Sequence, residues 1–275
     1  MEKLTVVKVG GKIVEDAQSL EKLLGDFSNI PGHKALVHGG GRSATKIAAS
    51  LGVETQMVGG RRVTDEQMLR VVTMVYGGLV NKNIVAKLQS RGINALGLTG
   101  ADMNVMHSQR RKPVVVKAEV AGTDTDQLVD FGFVGDPDRC DGQMLAKLIA
   151  EGIVPVMAPL THDGEGNLLN TNADTIAGET AKSLAPFFDV TLIYCFEKKG
   201  VLSDAEDDES VIPVIDERAF HRYVADGTIN SGMIPKIENA LNACKAGVKQ
   251  VVITRADLIG GSGGTVVKRQ LKVDS

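Results

Sequence analysis

Short apolar runs alternate along this chain with segments whose apolar residues follow helical spacing. Residues 4–9 form a β-branched run, and residues 16–27 have apolar side chains at every third or fourth position. The alternation continues to the strands predicted at residues 153–157 and 190–196. Strands that alternate with helices form a mainly parallel sheet covered by helices on both faces. The sequence therefore predicts an α/β fold, a three-layer αβα sandwich around a central, mainly parallel sheet.

Glycine is in excess, with 31 in 275 residues, and it clusters where the apolar runs end. Pairs or triplets stand at residues 10–11, 39–41 and 59–60. Glycine permits a sharp turn or a close approach of the backbone to a ligand, and parallel sheets bind ligands beyond the carboxyl ends of their strands. These clusters predict a binding site at one edge of the sheet. Gly77-Gly78 lies inside a predicted helix and indicates close packing, with a dimer interface as one explanation.

The overall composition excludes several classes of function. The 31 Lys+Arg against 34 Asp+Glu give a net charge of −3, which provides no electrostatic footprint for nucleic acid or an anionic membrane. The apolar runs are shorter than the roughly 18 residues of a membrane helix, and the N-terminus does not read as a signal peptide. The three cysteines are far apart, and the five histidines lack zinc-binding spacing. We expect a cytoplasmic protein without a metal site built from side chains, a nucleic-acid partner or a membrane partner.

The glycine triplet that follows His38 admits three interpretations. Gly39, Gly41 and Ala44 fit a dinucleotide-binding pattern, but the next strand does not end in an acidic residue at the usual distance. A tight turn with a purely structural role is the second interpretation. Backbone N–H groups at the start of a helix attract phosphate or carboxylate, so an anion-binding turn is favoured.

Cationic side chains stand next to the glycine-rich turns. Lys8 lies inside an apolar run two residues before Gly10, where it could hold a phosphoryl oxygen. Lys236 lies in the first turn of a predicted helix, where the helix dipole disfavours a cation unless an anion is shared. Arg62 follows a glycine pair, and its planar guanidinium suits a carboxylate. These positions predict an anionic ligand.

Two polar clusters mark predicted helix starts. Asn170, Asn172 and Asp174 are interpreted either as simple helix capping or as a site in which the amides donate to a ligand and the carboxylate organises cations. Thr64 with Gln67 resembles a capping box that opens a long helix towards residue 91.

Six motifs appear in the order found in the amino acid kinase family, and together they resemble it over about residues 4–268. They are Lys8-x-Gly10-Gly11, His38-Gly39-Gly40-Gly41, Gly60-x-Arg62-Val63-Thr64, Asn170-x-Asn172-Ala173-Asp174, Gly232-Met233-x-x-Lys236 and Gly264-Thr265. Each motif alone is weak, but six in order are specific. The Arg-Val-Thr and Asn-x-Asn-Ala-Asp motifs are similar to those of the branch that acts on N-acylated glutamate.

The resemblance implies the amino acid kinase fold and phosphoryl transfer from ATP, with Mg²⁺ held mainly by the phosphates. The acceptor would be the side-chain carboxylate of a small molecule, N-acetyl-L-glutamate, and the product N-acetyl-L-glutamyl 5-phosphate, in arginine biosynthesis. An N-succinyl-L-glutamate kinase, another kinase of the family and a non-catalytic sensor are the alternatives. The resemblance also implies one domain, residues 1–275. Its N-terminal lobe, residues 1–178, would serve the acyl amino acid and dimerisation, and its C-terminal lobe, residues 179–275, would bind ATP.

The resemblance also assigns roles to individual residues. Lys8 and Lys236 would stabilise the transferring phosphoryl group, and Asp174 would position both lysines. The substrate would be bound by Gly40, Gly41, Arg62 and Asn170, and the nucleotide by Gly10, Gly11, Glu197, Gly200, Leu202, Ile229 and Asn230. Glu197 and the two lysines after it depart from the family pattern and could alter adenine or ribose contacts. The first strand begins near Leu4, without the N-terminal helix of arginine-inhibited hexamers, so we expect a homodimer that is insensitive to arginine.

Overall fold

The computed structural model describes residues 1–120, 123–204, 206–229, 232–261 and 263–269. The strands are β1 (Lys3–Val9), β2 (His33–His38), β3 (Met57–Val58), β4 (Arg61–Arg62), β5 (Ala95–Leu98), β6 (Met106–Arg110), β7 (Val114–Val120), β8 (Thr123–Val129), β9 (Gly135–Cys140), β10 (Val154–Met157), β11 (Leu160–His162), β12 (Leu168–Asn170), β13 (Asp189–Phe196), β14 (Val214–Ile215), β15 (Gln250–Arg255) and β16 (Thr265–Lys268). The α-helices are α1 (Gly11–Glu15), α2 (Ala17–Asn29), α3 (Gly41–Ser50), α4 (Glu66–Val72), α5 (Asn81–Gln89), α6 (Gly142–Ala150), α7 (Ala173–Leu184), α8 (Glu217–Ala225) and α9 (Ile234–Lys245). A π-helical segment, Thr73–Val80, joins α4 to α5.

Eight strands form the central sheet in the order β14-β16-β15-β13-β1-β2-β10-β5. Neighbouring strands are parallel except for β15 and β16, which pair antiparallel. The predicted mainly parallel sheet is confirmed. The carboxyl ends of β1, β2 and β13 therefore lie side by side at one edge.

Successive side chains of β1 enter two different hydrophobic cores. Leu4 and Val6 pack into a core that includes residues of α6, α7 and α9. Val7 and Val9 pack into a second core with residues of α2, α3, α4 and α5. Because successive side chains of a strand point to opposite faces, the two cores lie on opposite sides of the sheet. The predicted three-layer αβα sandwich is confirmed.

Helix α4 begins at a different residue from the one predicted. The predicted capping box at Thr64 is wrong, because the Asp65 carboxylate accepts a hydrogen bond of 2.7 Å from the Met68 N–H and caps α4. Thr64 is fully buried, and its hydroxyl accepts a hydrogen bond from the amide of Asn170. The predicted long helix is present, since α4, the π-helical segment and α5 follow one another to Gln89.

The glycine pair of the π-helical segment splits into two environments. A Cβ atom at Gly77 would lie 3.5 Å from Leu160 Cδ1, so close packing here occurs within the chain. A Cβ atom at Gly78 would meet open space, and Met74 and Leu79 beside it are more than half exposed. A dimer interface at this surface stays a prediction.

Smaller sheets bring Arg62 towards the central sheet. A four-stranded sheet has the order β12-β11-β6-β9, and β3 pairs with β4 in a hairpin that carries Arg62. Isolated bridges join Thr64 to Gly132 and Val134 to Asn170. In the described part of the chain, helices with the length and apolar character of a membrane span are absent.

Candidate active site

Two glycine turns meet at the carboxyl edge of the central sheet. Gly10 and Gly11 follow β1, and the Gly39–Gly41 turn follows β2, its parallel neighbour. A Cβ atom at Gly11 would lie 3.5 Å from Gly41 N, and one at Gly39 would lie 3.1 Å from Gly11 N. A side chain at Gly39 would therefore crowd the first turn. The backbone N–H groups of the two turns lie beside the start of α3. Such groups at a helix start suit an anionic ligand.

A buried histidine supports the second glycine turn. His38 is fully buried, and its Nδ1 donates a hydrogen bond of 2.8 Å to the Gly39 carbonyl. The Asn81 amide donates to His38 Nε2 at 3.1 Å and to the Val156 carbonyl at 2.9 Å. Burial lowers the pKa of His38 to about 4, so the ring is neutral near neutral pH. Asn81 fixes the tautomer that donates to the turn.

An ion pair links the predicted catalytic residues Lys8 and Asp174. Lys8 Nζ lies 2.8 Å from Asp174 Oδ1, and Lys8 is buried on β1. Asp174 is in the first turn of α7, where the Asn172 side chain caps the helix by accepting from the N–H groups of Asp174 and Thr175. A carboxylate is favourable at this end of a helix. The structure therefore brings the first predicted lysine and the carboxylate together, and Asn172 acts as a cap.

The second predicted lysine reaches the same place from α9. Lys236 lies in the first turn of α9, and its Nζ is 4.3 Å from the centroid of the Phe196 ring. Lys8 Nζ is 5.8 Å from the same centroid. The two lysines therefore share one aromatic ring at the end of β13. Among the described residues Lys236 makes no ion pair, so its contact with Asp174 stays a prediction.

Arg62 is held rigidly beside the second glycine turn. Its Nη2 donates to the Gly41 carbonyl at 2.8 Å and to Thr45 Oγ1 at 2.9 Å, while Nη1 donates to Thr55 Oγ1 at 3.3 Å. The guanidinium lines a cavity of about 210 Å³ together with Gly40, Gly41 and Asn170. All four predicted substrate residues therefore border one cavity.

A larger cavity, of about 920 Å³, lies on the other side of the glycine turns. Its lining includes Lys8, Gly10, Gly11 and Glu197. Gly41 borders both cavities, so the two spaces meet at this residue. Two ligands, one in each cavity, could therefore approach each other at Gly41.

The remaining described residues predicted to bind the nucleotide are not among those that line the larger cavity. A Cβ atom at Gly200 would lie 2.8 Å from Thr265 Oγ1, and Ile229 is buried in a hydrophobic core. Leu202 pairs with Val211 in an isolated bridge. Asn230 lies outside the described residues. Their role in nucleotide binding stays a prediction.

The unusual charges after Phe196 are paired locally. Lys12 Nζ lies 2.9 Å from Glu197 Oε1 and holds the pKa of that carboxyl below its usual range. Lys198 forms an ion pair of 2.7 Å with Asp208, and Lys199 pairs with the neighbouring Glu209. The two lysines are therefore bound to the acidic loop that follows them.

Sequence reasoning missed two residues of this site. Asn81 shares helical spacing with the buried residues Ile84 and Leu88, so an amide in an apolar stripe was the available signal. Phe196 looked like an ordinary strand residue, because its contact with Lys236 joins positions that are distant in the sequence.

The family model described as amino acid kinase family matches residues 3–255. The chain belongs to the amino acid kinase family, and the predicted resemblance and fold are confirmed. Within the family, two relatives matched along nearly their whole length are named acetylglutamate kinase. The protein from Bacteroides fragilis is 65% identical over 98% of both chains. That from Bacteroides thetaiotaomicron is 65% identical over 98% of this chain and 99% of its own.

A solved structure extends the comparison to the fold. The structure of smu.665 from Streptococcus mutans UA159 is 27% identical, covers 96% of this chain and 98% of its own, and superposes with a TM-score of 0.73. The whole architecture is therefore shared with a protein of modest sequence identity.

Proposed function

We propose that the chain transfers a phosphoryl group from ATP to the side-chain carboxylate of N-acetyl-L-glutamate. The product is N-acetyl-L-glutamyl 5-phosphate, a step of arginine biosynthesis. The observation that carries the proposal is the convergence of Lys8, paired with Asp174 at 2.8 Å, and Lys236 on one ring that lines the larger cavity. The relatives named acetylglutamate kinase, at 65% identity, support this choice of acceptor.

The smaller cavity binds the acyl amino acid. The Arg62 guanidinium binds the α-carboxylate, which replaces the long contacts of Nη1 with Thr55 Oγ1 at 3.3 Å and Met68 Sδ at 3.8 Å. Its protein contacts already fix its orientation. Asn170 and the N–H groups of Gly40 and Gly41 bind the remaining polar groups of the substrate. The side-chain carboxylate then points towards the larger cavity.

The lysines and the first glycine turn stabilise the transferring group. A carboxylate oxygen attacks the γ-phosphorus, the bond to the β,γ-bridging oxygen breaks, and that oxygen leaves with ADP. Both reactants are anions, so alignment and charge neutralisation are the main requirements. Lys8 and Lys236 neutralise the equatorial oxygens, Asp174 orients Lys8, and the N–H groups of Gly10 and Gly11 bind phosphate. The attacking carboxylate is already ionised, so a general base is unnecessary.

The residues present fit a nucleotide whose metal is bound by its own phosphates. In the part of the chain that the structure describes, no group of three His, Cys, Asp or Glu side chains could hold a metal ion. The lining of the larger cavity includes the cationic side chains of Lys8, Lys12 and Arg42 as well as Gly10 and Gly11, and cations and glycine N–H groups suit phosphate oxygens. Mg²⁺ bound by ATP would reduce the repulsion between the two anionic reactants.

The wider assignments complete the proposal. Residues 1–178 form the lobe for the acyl amino acid, and residues 179–275 form the lobe for ATP. In the second lobe, Glu197 and the buried segment around Gly200 and Ile229 shape the nucleotide site. The protein works in the cytoplasm as a homodimer, and the exposed Met74 and Leu79 support the π-helical surface as its interface.

A substrate panel tests the function. ADP release is measured with N-acetylglutamate, N-succinylglutamate, glutamate, aspartate and UMP as acceptors. We expect the highest kcat/KM with N-acetylglutamate. Faster turnover with another acceptor contradicts the assigned substrate, and ATP binding without turnover on any acceptor indicates a sensor.

A further inference from the structure

The Phe196 ring lies close to both ammonium groups of the site. Lys236 Nζ is 4.3 Å and Lys8 Nζ is 5.8 Å from the ring centroid. Both distances lie within the roughly 6 Å over which an aromatic face attracts a cation. The ring is the last residue of β13, and it also lines the larger cavity. One side chain therefore contacts both predicted phosphoryl-binding lysines.

A second aromatic side chain fixes the ring. Tyr194 lies two residues earlier on β13, so it shares the same face of the sheet. Its ring is stacked on Phe196, with centroids 6.1 Å apart and planes inclined by 26°. Tyr194 is buried, and its hydroxyl donates a hydrogen bond of 3.1 Å to the Asp174 carbonyl. The aromatic pair is therefore anchored to the start of α7, where Asp174, the ion-pair partner of Lys8, lies.

The two lysines differ in what holds them. Lys8 has the Asp174 carboxylate at 2.8 Å. Among the described residues Lys236 has no carboxylate within ion-pair distance, and its ammonium contacts the Phe196 ring. A lysine side chain has a flexible four-carbon stem that loses considerable freedom when its ammonium is placed. The ring therefore provides the restraint that an acidic partner provides for Lys8.

We propose that Phe196 is a positioning residue that holds the Lys236 ammonium beside the phosphoryl-transfer site. The inference rests on the proposed kinase function. A carboxylate in this place would hold Lys236 more firmly, but together with Asp174 it would compensate the charge of both lysines and compete with phosphate. An aromatic face restrains the ammonium and leaves its charge uncompensated, so Lys236 can bind a phosphoryl oxygen while the ring still restrains it.

Kinetic constants of two variants test the positioning role. Phe196→Leu keeps an apolar side chain but removes the aromatic face, and we expect kcat to fall about tenfold with both KM values changed less than about twofold. Phe196→Tyr keeps the ring and should retain kcat within about twofold. Phe188→Leu is the matched control, because it removes a ring just before the opposite end of β13, where the described ring contact is with His33. Unchanged kcat in Phe196→Leu, or an equal loss in Phe196→Tyr, overturns the proposal.

Lysine NMR tests the contact independently of activity and of any folding defect in the variants. In wild-type protein labelled with ¹³C-lysine, the ring should shift the ε-methylene protons of Lys236 upfield, with the signal assigned from Lys236→Arg. A Lys236 signal at the ordinary lysine position in wild type contradicts this inference. A wild type that releases no ADP with N-acetylglutamate contradicts the proposed function instead, so the two failures are distinguishable.

Discussion

Protonation of His38 should make the fold sensitive to acid. The ring is fully buried, its pKa is lowered to about 4, and an unfolded histidine titrates near 6.5. Between these values the unfolded chain binds a proton that the folded chain does not. The stabilising contribution is therefore complete above about pH 6.5 and declines as the pH falls towards 4.

The size of the effect follows from the two pKa values. At pH 5, the unfolded histidine is almost fully protonated and the folded one is mostly neutral, so linkage gives a loss of about 2 kcal/mol relative to pH 7.5. The full difference below the folded pKa is about 3 kcal/mol. A proton on Nε2 would also face the Asn81 amide donor, so the support of the Gly39 turn is lost in the same step.

Denaturant unfolding of wild type and His38→Asn measures the pH-dependent contribution of His38 to the free energy of unfolding. The variant side chain can still donate to the Gly39 carbonyl but does not titrate in this range. We expect lower stability for the variant at pH 7.5, and a fall in the free energy of unfolding from pH 7.5 to 5 that is about 2 kcal/mol smaller than in wild type. Equal pH dependence in the two proteins would refute the reasoning.

Three further perturbations test other parts of the structure. Arg62→Lys should raise KM for N-acetylglutamate about tenfold or more while KM for ATP changes little, because the planar guanidinium that contacts both the glycine turn and the substrate is lost. Equal shifts in both constants would count against the assigned role. Gly40→Ala should lower the free energy of unfolding by about 1–3 kcal/mol, because the new Cβ would lie 2.9 Å from a buried tyrosine ring. Gly78→Ala is the control, because its Cβ would meet open space. Similar free energies of unfolding for the two variants would contradict this packing. His107 has a raised pKa, chiefly because the Asp138 carboxylate accepts its hydrogen bond. The stabilisation from the His107–Asp138 pair is therefore present below about pH 6.5 and lost as the pH rises through the raised pKa. The variant His107→Gln should consequently lose less melting temperature than wild type as the pH rises through this range. An equal loss in both proteins would contradict a stabilising His107–Asp138 pair.

The sequence was sufficient to predict the layers of the fold. Apolar runs such as that of β1 feed cores on both faces of a sheet, and this property is visible in local alternation. Helix starts with a single polar cap were equally local, as Asn172 illustrates. Thr64 was mistaken for a cap because its hydroxyl is bound by Asn170, 106 residues away. Local patterns do not contain such pairings.

The candidate site likewise contains residues that the sequence could suggest and residues that it could not. Lys8, Arg62 and Asp174 could be proposed from the sequence because each lies within a motif whose residue types suit an anionic ligand. Asn81 could not, because its function depends on contact with a histidine 43 residues earlier. The Phe196 ring depends on a strand and a helix start that only the tertiary fold brings together.

Trapping of the product with hydroxylamine tests the central claim most directly. An acyl phosphate reacts with hydroxylamine to give a hydroxamate, so mass spectrometry identifies which carboxylate was phosphorylated. With ATP, Mg²⁺ and N-acetylglutamate, wild type should form the side-chain hydroxamate in amounts equal to ADP. Lys8→Met should slow its formation by about a hundredfold or more, because the buried ammonium is lost. ADP release without hydroxamate, or an undiminished rate in Lys8→Met, would contradict the account.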